Sequence, residues 1–301
     1  MLHRYGTVAT DLARRLLILK EGDRLDPISS LAEEFGTGRG TIQTALKLLI
    51  NEGAIEIEGL GKRGSFIKKL NRSILLEKAD LSAVIGAIPV AYSLLNQGLA
   101  TGLTYAYQQA EILLVLAQIR GAKNRLHFLR TGRCDFAIIS KLTWEEIKQE
   151  GEFDLILEFG PGSNVGDHVL LMPEHHAGEI TDGMKVGVDS SSVDHLRLTL
   201  EECEGKSVQL VEISYGQSIE KLLSGEIDVT IWDAGFTPPP PHLKMVPLKN
   251  RKTKTNANTE AGLVVRADSG SLKNLIQQLI DPNIVVRTQR RVVSHEISPS
   301  I

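Results

Sequence analysis

Five polar side chains recur on one face of the segment 39–51, at positions that point outward from a helix. They are Arg39, Thr41, Gln43, Thr44 and Lys47. Arginine and glutamine form forked hydrogen bonds with purine edges in a DNA major groove, and lysine pairs with phosphate. No acidic residue lies between Gly36 and Ile50 to repel a phosphate backbone. This set of side chains favours contact with a nucleic acid.

Two short helices must position these side chains. One apolar stripe ends before the glycine turn at 36–38, and a second resumes after it at helical spacing. The stripes consist of Leu31, Ala32 and Phe35, then Ile42, Ala45, Leu46, Leu49 and Ile50. The spacing predicts a helix-turn-helix with a recognition helix second, although two core-packing helices of an ordinary globular domain give the same pattern. Thr37 is expected to cap the second helix, because Gly38 has no side chain.

A β-hairpin is predicted directly after the second helix. Residues 54–58 alternate as a strand does, 59–64 form a glycine-rich turn, and 65–67 return as a strand. Lys62 and Arg63 lie at the tip of this turn, beside Gly64. Cations held on such a loop suit the minor groove, where the negative potential of DNA is strongest. The hairpin is therefore predicted to be a wing that contacts DNA.

These elements together resemble the winged helix-turn-helix of GntR-type transcriptional regulators. The resemblance rests on LAEEFGTGRGTIQTALKLLINEGAIE, which starts at Leu31, and on a wing that keeps Gly59, Gly61, Gly64, Ser65, Phe66 and Ile67. It covers about the first quarter of the chain. The resemblance implies that Arg39 starts the recognition helix, that Thr41 follows it, and that Gly64 is the wing glycine. Gln43 stands where the family often has arginine, so the operator sequence does not follow from the resemblance.

The charge of the chain is distributed unevenly, which supports a division into domains. The net charge is −3, but residues 1–72 contain 12 Lys and Arg against 9 Asp and Glu, or +3, which leaves −6 for the remainder. We predict a winged domain over 1–70, with its first helix at 7–20, and an α/β domain over 81–301. The charged segment 71–80 between them is predicted to be a linker, either a helix against a partner subunit or a tether.

From residue 81 onward, strands alternate with helices. The predicted strands are 82–88, 112–117, 136–139, 184–188, 208–213, 227–232 and 260–265, and the predicted helices are 91–107, 123–130, 193–203, 217–223, 271–279 and 282–293. Such alternation predicts βαβ units and a largely parallel sheet.

Two segments of this region share the pattern L-x-x-G-x-x-D-[FV]-x-I-[IW]. They are 129–139 and 222–232, each a helix end at glycine followed by a strand. Unless the similarity arose by chance, it predicts two similar lobes, one at about 81–160 plus 262–301 and the other at about 163–261. Hinges are expected at 160–162 and 233–235. Two lobes around a cleft resemble the type II periplasmic-binding-protein fold, which many bacterial regulators use as an effector domain.

The order of the two domains resembles the YhfZ family of bacterial regulators over nearly the full chain. The supporting stretches are QIRGAKNRLHFLRTGRCDFAIIS from Gln118, FGPGSNVGDHVLL from Phe159 and TQRRVVS from Thr288. The resemblance implies the architecture, but it brings no catalytic motif and no known ligand.

The residues expected to bind a ligand lie where strands lead into helices and at the proposed hinges. Ser190, Ser191 and Ser192 open a helix whose free N–H groups favour an anion, although they can equally be caps. Arg120 can pair with a carboxylate or phosphate, and Tyr92 can close over the ligand. The complete predicted set is Pro89, Tyr92, Ser93, Arg120, Ser140, Gly162, Ser163, Ser190, Ser191, Ser192, Trp232 and Asp233.

The sequence contains no pattern for catalysis, a cofactor or a metal. G-x-x-x-x-G-K-[ST], H-E-x-x-H and G-x-S-x-G are all missing. The adjacent pair His175 and His176 suits a solvated loop better than a metal, and Asp194 with His195 suits a first helical turn. Cys134 and Cys203 are expected to be buried thiols. No apolar span reaches the length of a membrane helix, so we expect a cytoplasmic protein.

The sequence thus favours a regulator that binds double-stranded operator DNA as a homodimer and responds to a small effector, expected to be an organic anion. Two alternatives remain open. One is a small-molecule binding protein or enzyme with an accessory winged domain. The other is a dimeric DNA binder whose second domain binds no ligand.

Overall fold

The computed structural model describes residues 2–81, 83–235, 239–249 and 256–300. The chain forms two compact units. The first consists of Met1–Val84, Tyr107–Val115 and Ser269–Asp281, and the second of Ile85–Ala106, Leu116–Asp268 and Pro282–Ile301. This division differs from a single boundary at 71–80, and the domain boundaries drawn from the sequence stay a prediction.

The first unit contains the helix-turn-helix and its wing. Its N-terminal elements are α1 (Leu2–Leu17), α2 (Ile28–Glu34), α3 (Arg39–Asn51), β1 (Ile55–Gly59), β2 (Ser65–Leu70) and α4 (Arg72–Lys78). Leu12, Leu16 and Leu31 are fully buried beside the apolar face of α3, and β1 pairs with β2 in antiparallel fashion. The predicted helix-turn-helix is confirmed, with a first helix that begins earlier than the expected residue 7.

The segment 71–80 is part of this first unit. It forms α4, whose start is capped by Asn71 through a bond from the Ile74 N–H (3.3 Å). Leu75 is fully buried, and the Arg14 guanidinium donates to the Ala79 carbonyl at 2.8 Å. The alternative of a free tether is therefore wrong for this segment. The Leu75 side chain and the Ala79 carbonyl both make contacts within the first unit.

The remaining elements form two five-stranded sheets and the helices that cover them. In chain order they are β3 (Val84–Ile88), α5 (Leu94–Gln109), β4 (Leu114–Gln118), α6 (Ala122–Arg130), β5 (Phe136–Ser140), α7 (Lys141–Ile147), β6 (Phe153–Glu158), β7 (His168–Pro173), β8 (Lys185–Val188), α8 (Val193–Glu202), β9 (Gln209–Glu212), α9 (Ser218–Leu223), β10 (Val229–Asp233), β11 (Leu243–Pro247), β12 (Ala261–Arg266), α10 (Gly270–Leu279) and α11 (Pro282–Val293). The expected start of β3 at Ser82 lies outside the described residues.

Each sheet is mixed. The first has the order β4-β3-β5-β12-β6 and the second the order β11-β7-β10-β8-β9. The strand β3 is parallel to β5, and β8 is parallel to β9 and β10, but β12 and β7 are antiparallel to both of their neighbours. The prediction of a largely parallel sheet is wrong, because β7 and β12 enter their sheets from the opposite lobe. The strands β6, β7 and β11 and the helix α7 were not predicted.

The repeated sequence pattern has the same structure in both lobes. Gly132 and Gly225 both end a helix with positive φ, +67° and +71°. The Asp135 carboxylate accepts the Ile85 N–H at 2.7 Å, and the Asp228 carboxylate accepts the Lys185 N–H at 2.7 Å. Each aspartate thus ties the start of the strand that follows it to the start of the parallel neighbouring strand.

Only one of the two predicted hinges lies at a crossing between the sheets. Residues 160–162 connect β6 of the first sheet with β7 of the second. The segment 233–235 follows β10, and the next strand, β11, belongs to the same sheet, so a hinge there is wrong. The second crossing runs from β11 to β12, and its residues 250–255 lie outside the described part.

Candidate functional site

The recognition helix α3 separates its buried and exposed faces as predicted. Arg39, Gln43, Thr44 and Lys47 are exposed and Thr41 is half-buried. The side chains of Ile42, Ala45, Leu46 and Leu49 are buried against the rest of the unit. The outward face therefore carries two cations and several hydrogen-bonding groups on a rigid support. Whether these groups contact DNA stays a prediction.

The start of α3 has no side-chain cap. Gly38 occupies the cap position without such a bond, and the Thr37 N–H donates to the Ala32 carbonyl at 2.9 Å within the turn. The expectation that Thr37 caps α3 is therefore wrong. Thr44 donates its hydroxyl to the Gly40 carbonyl at 2.9 Å, so its oxygen remains available as an acceptor.

The tip of the wing is held by one unusual backbone position. Gly64 has φ +94°, and an added Cβ would come within 3.1 Å of the Arg24 Nε. Any other residue would therefore be strained. Arg63 is exposed beside it, whereas the side chain of Lys62 lies outside the described part of the structure.

A cavity of about 140 Å³ lies in the second unit, between its two sheets. Six of the twelve predicted ligand residues belong to its wall: Pro89, Tyr92, Arg120, Ser140, Ser192 and Asp233. The other six, Ser93, Gly162, Ser163, Ser190, Ser191 and Trp232, do not. Ser163 donates its hydroxyl to the Gly160 carbonyl at 2.6 Å and Ser93 accepts the Asn96 N–H at 3.3 Å. These hydrogen bonds connect Ser163 and Ser93 to nearby backbone groups. Whether any wall residue binds a ligand stays a prediction.

The three serines that precede α8, where an anion was expected, bond to other groups of the chain. The Ser190 N–H and hydroxyl bond to Glu212 at 3.1 and 2.9 Å. The Ser191 N–H donates to the Asp189 carboxylate at 3.1 Å, and Ser192 accepts the His195 N–H at 3.3 Å. Asp189 is 1% exposed. The expected anion position is therefore filled by two protein carboxylates, which Ser190 and Ser191 bind instead.

Two buried groups of opposite charge, Arg125 and Asp194, belong to the wall and were not predicted. Arg125 donates to the Ile138 carbonyl (2.7 Å) and the Ile119 carbonyl (2.9 Å), and burial lowers its pKa to about 10 against the opposing effect of Asp194. The Asp194 carboxylate comes from α8, in the other lobe. Since neither residue has a distinctive local pattern, only their approach in the folded chain reveals the pair.

Asp194 bonds across the cavity to the first lobe. Its Oδ1 accepts the hydroxyls of Ser140 (2.6 Å) and Thr143 (3.1 Å). Burial raises the pKa of Asp194 to about 6, and these hydroxyls and Arg125 oppose the rise.

His195 is fixed as a neutral imidazole. Its Nδ1 accepts the Asp189 N–H at 3.2 Å, so the proton on Nε2 is directed to the Ile231 carbonyl at 3.1 Å. Burial lowers the pKa of His195 to about 4. The residue has a structural role in the second lobe.

Tyr215 and Asp233 complete the wall in the second lobe. The Tyr215 ring stacks on Trp232 with a centroid separation of 4.9 Å, and its oxygen accepts the Asp233 N–H at 2.8 Å. The Asp233 carboxylate accepts the Gly235 N–H at 2.8 Å. Burial raises the pKa of Asp233. Tyr215 was not predicted, because only a contact across the sheet brings it to Asp233.

No group of three or more His, Cys, Asp or Glu side chains is arranged to hold a metal ion in the part of the chain that the structure describes. None of the described helices is long and apolar enough to cross a membrane. Cys134 and Cys203 are free, buried thiols, as predicted.

Family models and known proteins match almost the whole chain. Residues 71–301 match the model described as the YhfZ C-terminal domain, and residues 20–67 match a helix-turn-helix domain. The YhfZ protein of Escherichia coli (strain K12) is 34% identical over 301 residues, which cover 99% of this chain and 98% of that protein.

Solved structures match the second part of the chain in particular. The crystal structure of YhfZ from Shigella flexneri matches with a TM-score of 0.62 and 30% identity, over 76% of this chain and 97% of that one. An ancestral arginine-binding protein bound to arginine matches with a TM-score of 0.54 and 14% identity, over 71% of this chain and 97% of that one. The latter likeness concerns the fold alone and confirms the predicted periplasmic-binding-protein-like architecture. With a helix-turn-helix followed by this two-lobed domain, and with matches of this length, the chain belongs to the YhfZ family.

Proposed function

We propose that this protein is a DNA-binding transcriptional regulator whose two-lobed domain binds a small-molecule effector. The observation that carries the proposal is the outward face of α3, where Arg39, Gln43 and Lys47 are exposed on the second helix of a helix-turn-helix. In this motif the second helix lies in the major groove and its first turns meet base edges. Arg63 on the wing adds a cation for the backbone or the minor groove.

Binding as a homodimer follows from the size of the contact. One winged helix touches only a few base pairs, too few to select a single operator, so two copies on a two-fold axis are needed. Such a dimer requires a pseudo-palindromic operator with half-sites about one helical turn, ~34 Å, apart.

Effector binding is supported by the cavity and by its polar wall. A concave site with a few converging polar groups is where such folds hold their ligands. A change in the closure of the lobes about residues 160–162 is the two-state element through which a ligand would alter the dimer. The usual size of such a coupling is about 1 to 3 kcal/mol, or roughly 5- to 150-fold in affinity.

The DNA-binding part of the proposal predicts two kinds of variant. An operator would first be selected from a random duplex pool with the full-length protein. Arg39→Ala and Gln43→Ala should then weaken binding to that operator by about 1 to 3 kcal/mol and relax base preference. The double variant Lys62→Ala, Arg63→Ala should weaken binding to all sequences and lower the salt slope by about one unit per lost phosphate contact.

The matched control is Lys148→Ala, which removes a surface cation paired with Glu145 in the second unit. It should leave affinity and salt slope unchanged. A recognition role for α3 would be contradicted if the wild type bound DNA without sequence preference. It would also be contradicted if Arg39→Ala and Gln43→Ala bound the operator as tightly as the wild type does. A metabolite that binds the protein and shifts operator affinity would support the regulator over a purely structural DNA binder, and turnover of that metabolite would support an enzyme.

A further inference from the structure

The cavity wall contains more carboxylates than guanidinium groups. Arg120 lies 3.7 Å from the Asp189 carboxylate, and Arg125 is coupled to Asp194. Each guanidinium therefore has a carboxylate opposite it. Asp233 is the third carboxylate of the wall, and it is only 5% exposed.

Asp233 has no cationic partner among the described residues. Within that part of the chain, the groups that stabilise its charge are the backbone N–H groups of Gly235 and Gly166, and a further carboxylate, Asp167, acts against it. A buried carboxylate without a cation is costly. A ligand that brings a positive charge to Asp233 would remove this cost.

A second wall residue also has an unused acceptor. The Asn96 Oδ1 is buried and receives no hydrogen bond in the described part of the chain, while its Nδ2 donates to the Ser93 hydroxyl at 3.1 Å. A buried acceptor without a donor costs about 1 to 3 kcal/mol. The wall therefore lacks hydrogen-bond donors, which a ligand can supply.

Aromatic rings form another side of the cavity. Tyr92 of the first lobe and Tyr215 of the second both belong to the wall, with ring centroids 6.3 Å apart. The negative face of an aromatic ring attracts a cation. A carboxylate beside two such rings is a combination that suits an ammonium group better than an anion.

The volume limits the size of the occupant. A cavity of about 140 Å³ is close to the roughly 150 Å³ cavity that accepts benzene. The cavity is partly open, so the part of an occupant that it encloses has about six to eight non-hydrogen atoms.

We propose that the effector is a small primary amine, seated with its ammonium group on Asp233 and against the rings of Tyr92 and Tyr215. This inference rests on the proposed effector binding and names the class of ligand. It replaces the organic anion expected from Ser190, Ser191 and Ser192, because Glu212 and Asp189 accept the N–H and hydroxyl groups of Ser190 and Ser191. An amino acid and a simple alkylamine share this chemistry.

The test compares ligands that differ only in the amino group. Thermal unfolding of the full-length protein is followed with glycine against glycolate, L-alanine against lactate, and propylamine against propanol, and then with the other small standard amino acids and amines. An amine at 100-fold above its Kd should raise Tm by about 5 to 10 °C, and its hydroxyl analogue should not. Binding by the amino acids alone, or by the alkylamines too, distinguishes the two sources of the ammonium group.

Variants then locate the ammonium group. Asp233→Asn keeps an oxygen that can accept the Gly235 N–H but loses the charge, so the best amine should bind about 10- to 100-fold more weakly. The matched control is Asp167→Asn, a neighbouring carboxylate that is not part of the wall, and it should bind as the wild type does. Tyr92→Phe should retain binding and Tyr92→Leu should weaken it several-fold.

Three results would overturn the inference: a hydroxyl analogue that binds as well as its amine, unchanged affinity in Asp233→Asn, or no amine that binds. The proposed function and the amine inference can fail independently. If a non-amine metabolite stabilises the protein and shifts its operator affinity, the proposal of a regulator is supported and the assignment of an amine is wrong. If no metabolite of any class binds, effector binding itself is wrong.

Discussion

The two lobes have the same local backbone at the cavity wall, but the side chains that they contribute to the wall have opposite charges. Residues 85 and 185 correspond, because each is held by the aspartate of the repeated pattern. By the same alignment Pro89 of the first lobe corresponds to Asp189 of the second, and both lie in the cavity wall. One residue beyond the repeat, Ser140 corresponds to Asp233, and these two also belong to the wall.

The third pair of equivalent positions lies in contact. The Ile119 N–H donates to the Ile88 carbonyl and the Ile213 N–H to the Val188 carbonyl, both at 2.9 Å, so Arg120 corresponds to Ser214. Arg120 donates to the Ser214 hydroxyl across the cavity.

The first lobe thus supplies the guanidinium groups of the wall and the second lobe its three carboxylates. Because these opposite charges lie on either side of the cavity, the proposed closure of the lobes would have an electrostatic component. The third carboxylate, Asp233, has no guanidinium group opposite it and belongs to the second lobe.

The largest expected effect comes from removing the cation of the first lobe. Arg125→Met keeps the length of the side chain but leaves Asp194 buried without its counter-charge. The Ile119 and Ile138 carbonyls also lose their donor, and each buried acceptor left without a partner costs about 1 to 3 kcal/mol. Urea unfolding should therefore show a loss of about 2 to 5 kcal/mol. Arg133→Met, on the surface of the same lobe, is the control and should change the free energy of unfolding by less than about 0.5 kcal/mol. Equal stability of the two variants would break the comparison.

An effect of intermediate size concerns the pH dependence of the second lobe. Burial raises the pKa of Asp194 to about 6, above its usual value near 4. The contribution of this group to the free energy of unfolding is therefore full below pH 4 and is lost as the pH rises through 6. Relative to that of Asp194→Asn, the free energy of unfolding of the wild type should fall by up to about 3 kcal/mol over that pH interval.

His195 acts in the opposite direction. Burial lowers the pKa of His195 to about 4, so its contribution is present above pH 6.5 and is lost as the pH falls toward 4. The difference between wild type and Asp194→Asn isolates the carboxylate, because both proteins retain this histidine. A flat difference from pH 4 to 7 would mean that Asp194 is no harder to ionise in the folded protein.

The smallest effect tests what the lobes share. Asp135→Ala and Asp228→Ala each leave a strand-end N–H without its acceptor, at a cost of about 1 to 3 kcal/mol. Because the geometry is the same in both lobes, the two losses of unfolding free energy should agree within about 0.5 kcal/mol. Chemical denaturation measures both, and Asp268→Ala, an exposed residue paired with Arg266, serves as the control. A loss in one variant alone would show that the repeat is equivalent in sequence but not in energy.

The sequence predicted best the features that depend on neighbouring residues. The spacing of Ile42, Ala45, Leu46 and Leu49 sufficed for the buried face of α3, and the repeated pattern sufficed for two similar lobes. In both cases the periodicity of the chain directly records which side is buried.

Features that depend on distant residues were missed or misplaced. Ser190 and Ser191 had the pattern of an anion site, but Asp189 and Glu212 take their donors in the folded chain. Arg125 and Tyr215 became wall residues only through contact between elements. The strands β6, β7 and β11 were missed, although residues 160–162, where the chain passes from β6 of one sheet to β7 of the other, were expected to be a hinge.

The helix α10 packs on α1 within the first unit, and this contact constrains how the protein is made. About 250 residues separate the end of α1 from the start of α10. At synthesis rates of about 5 to 20 residues per second, the helix α1 waits on the order of 10 to 50 seconds for its partner. The first unit is thus completed only after both sheets of the second unit have been synthesised.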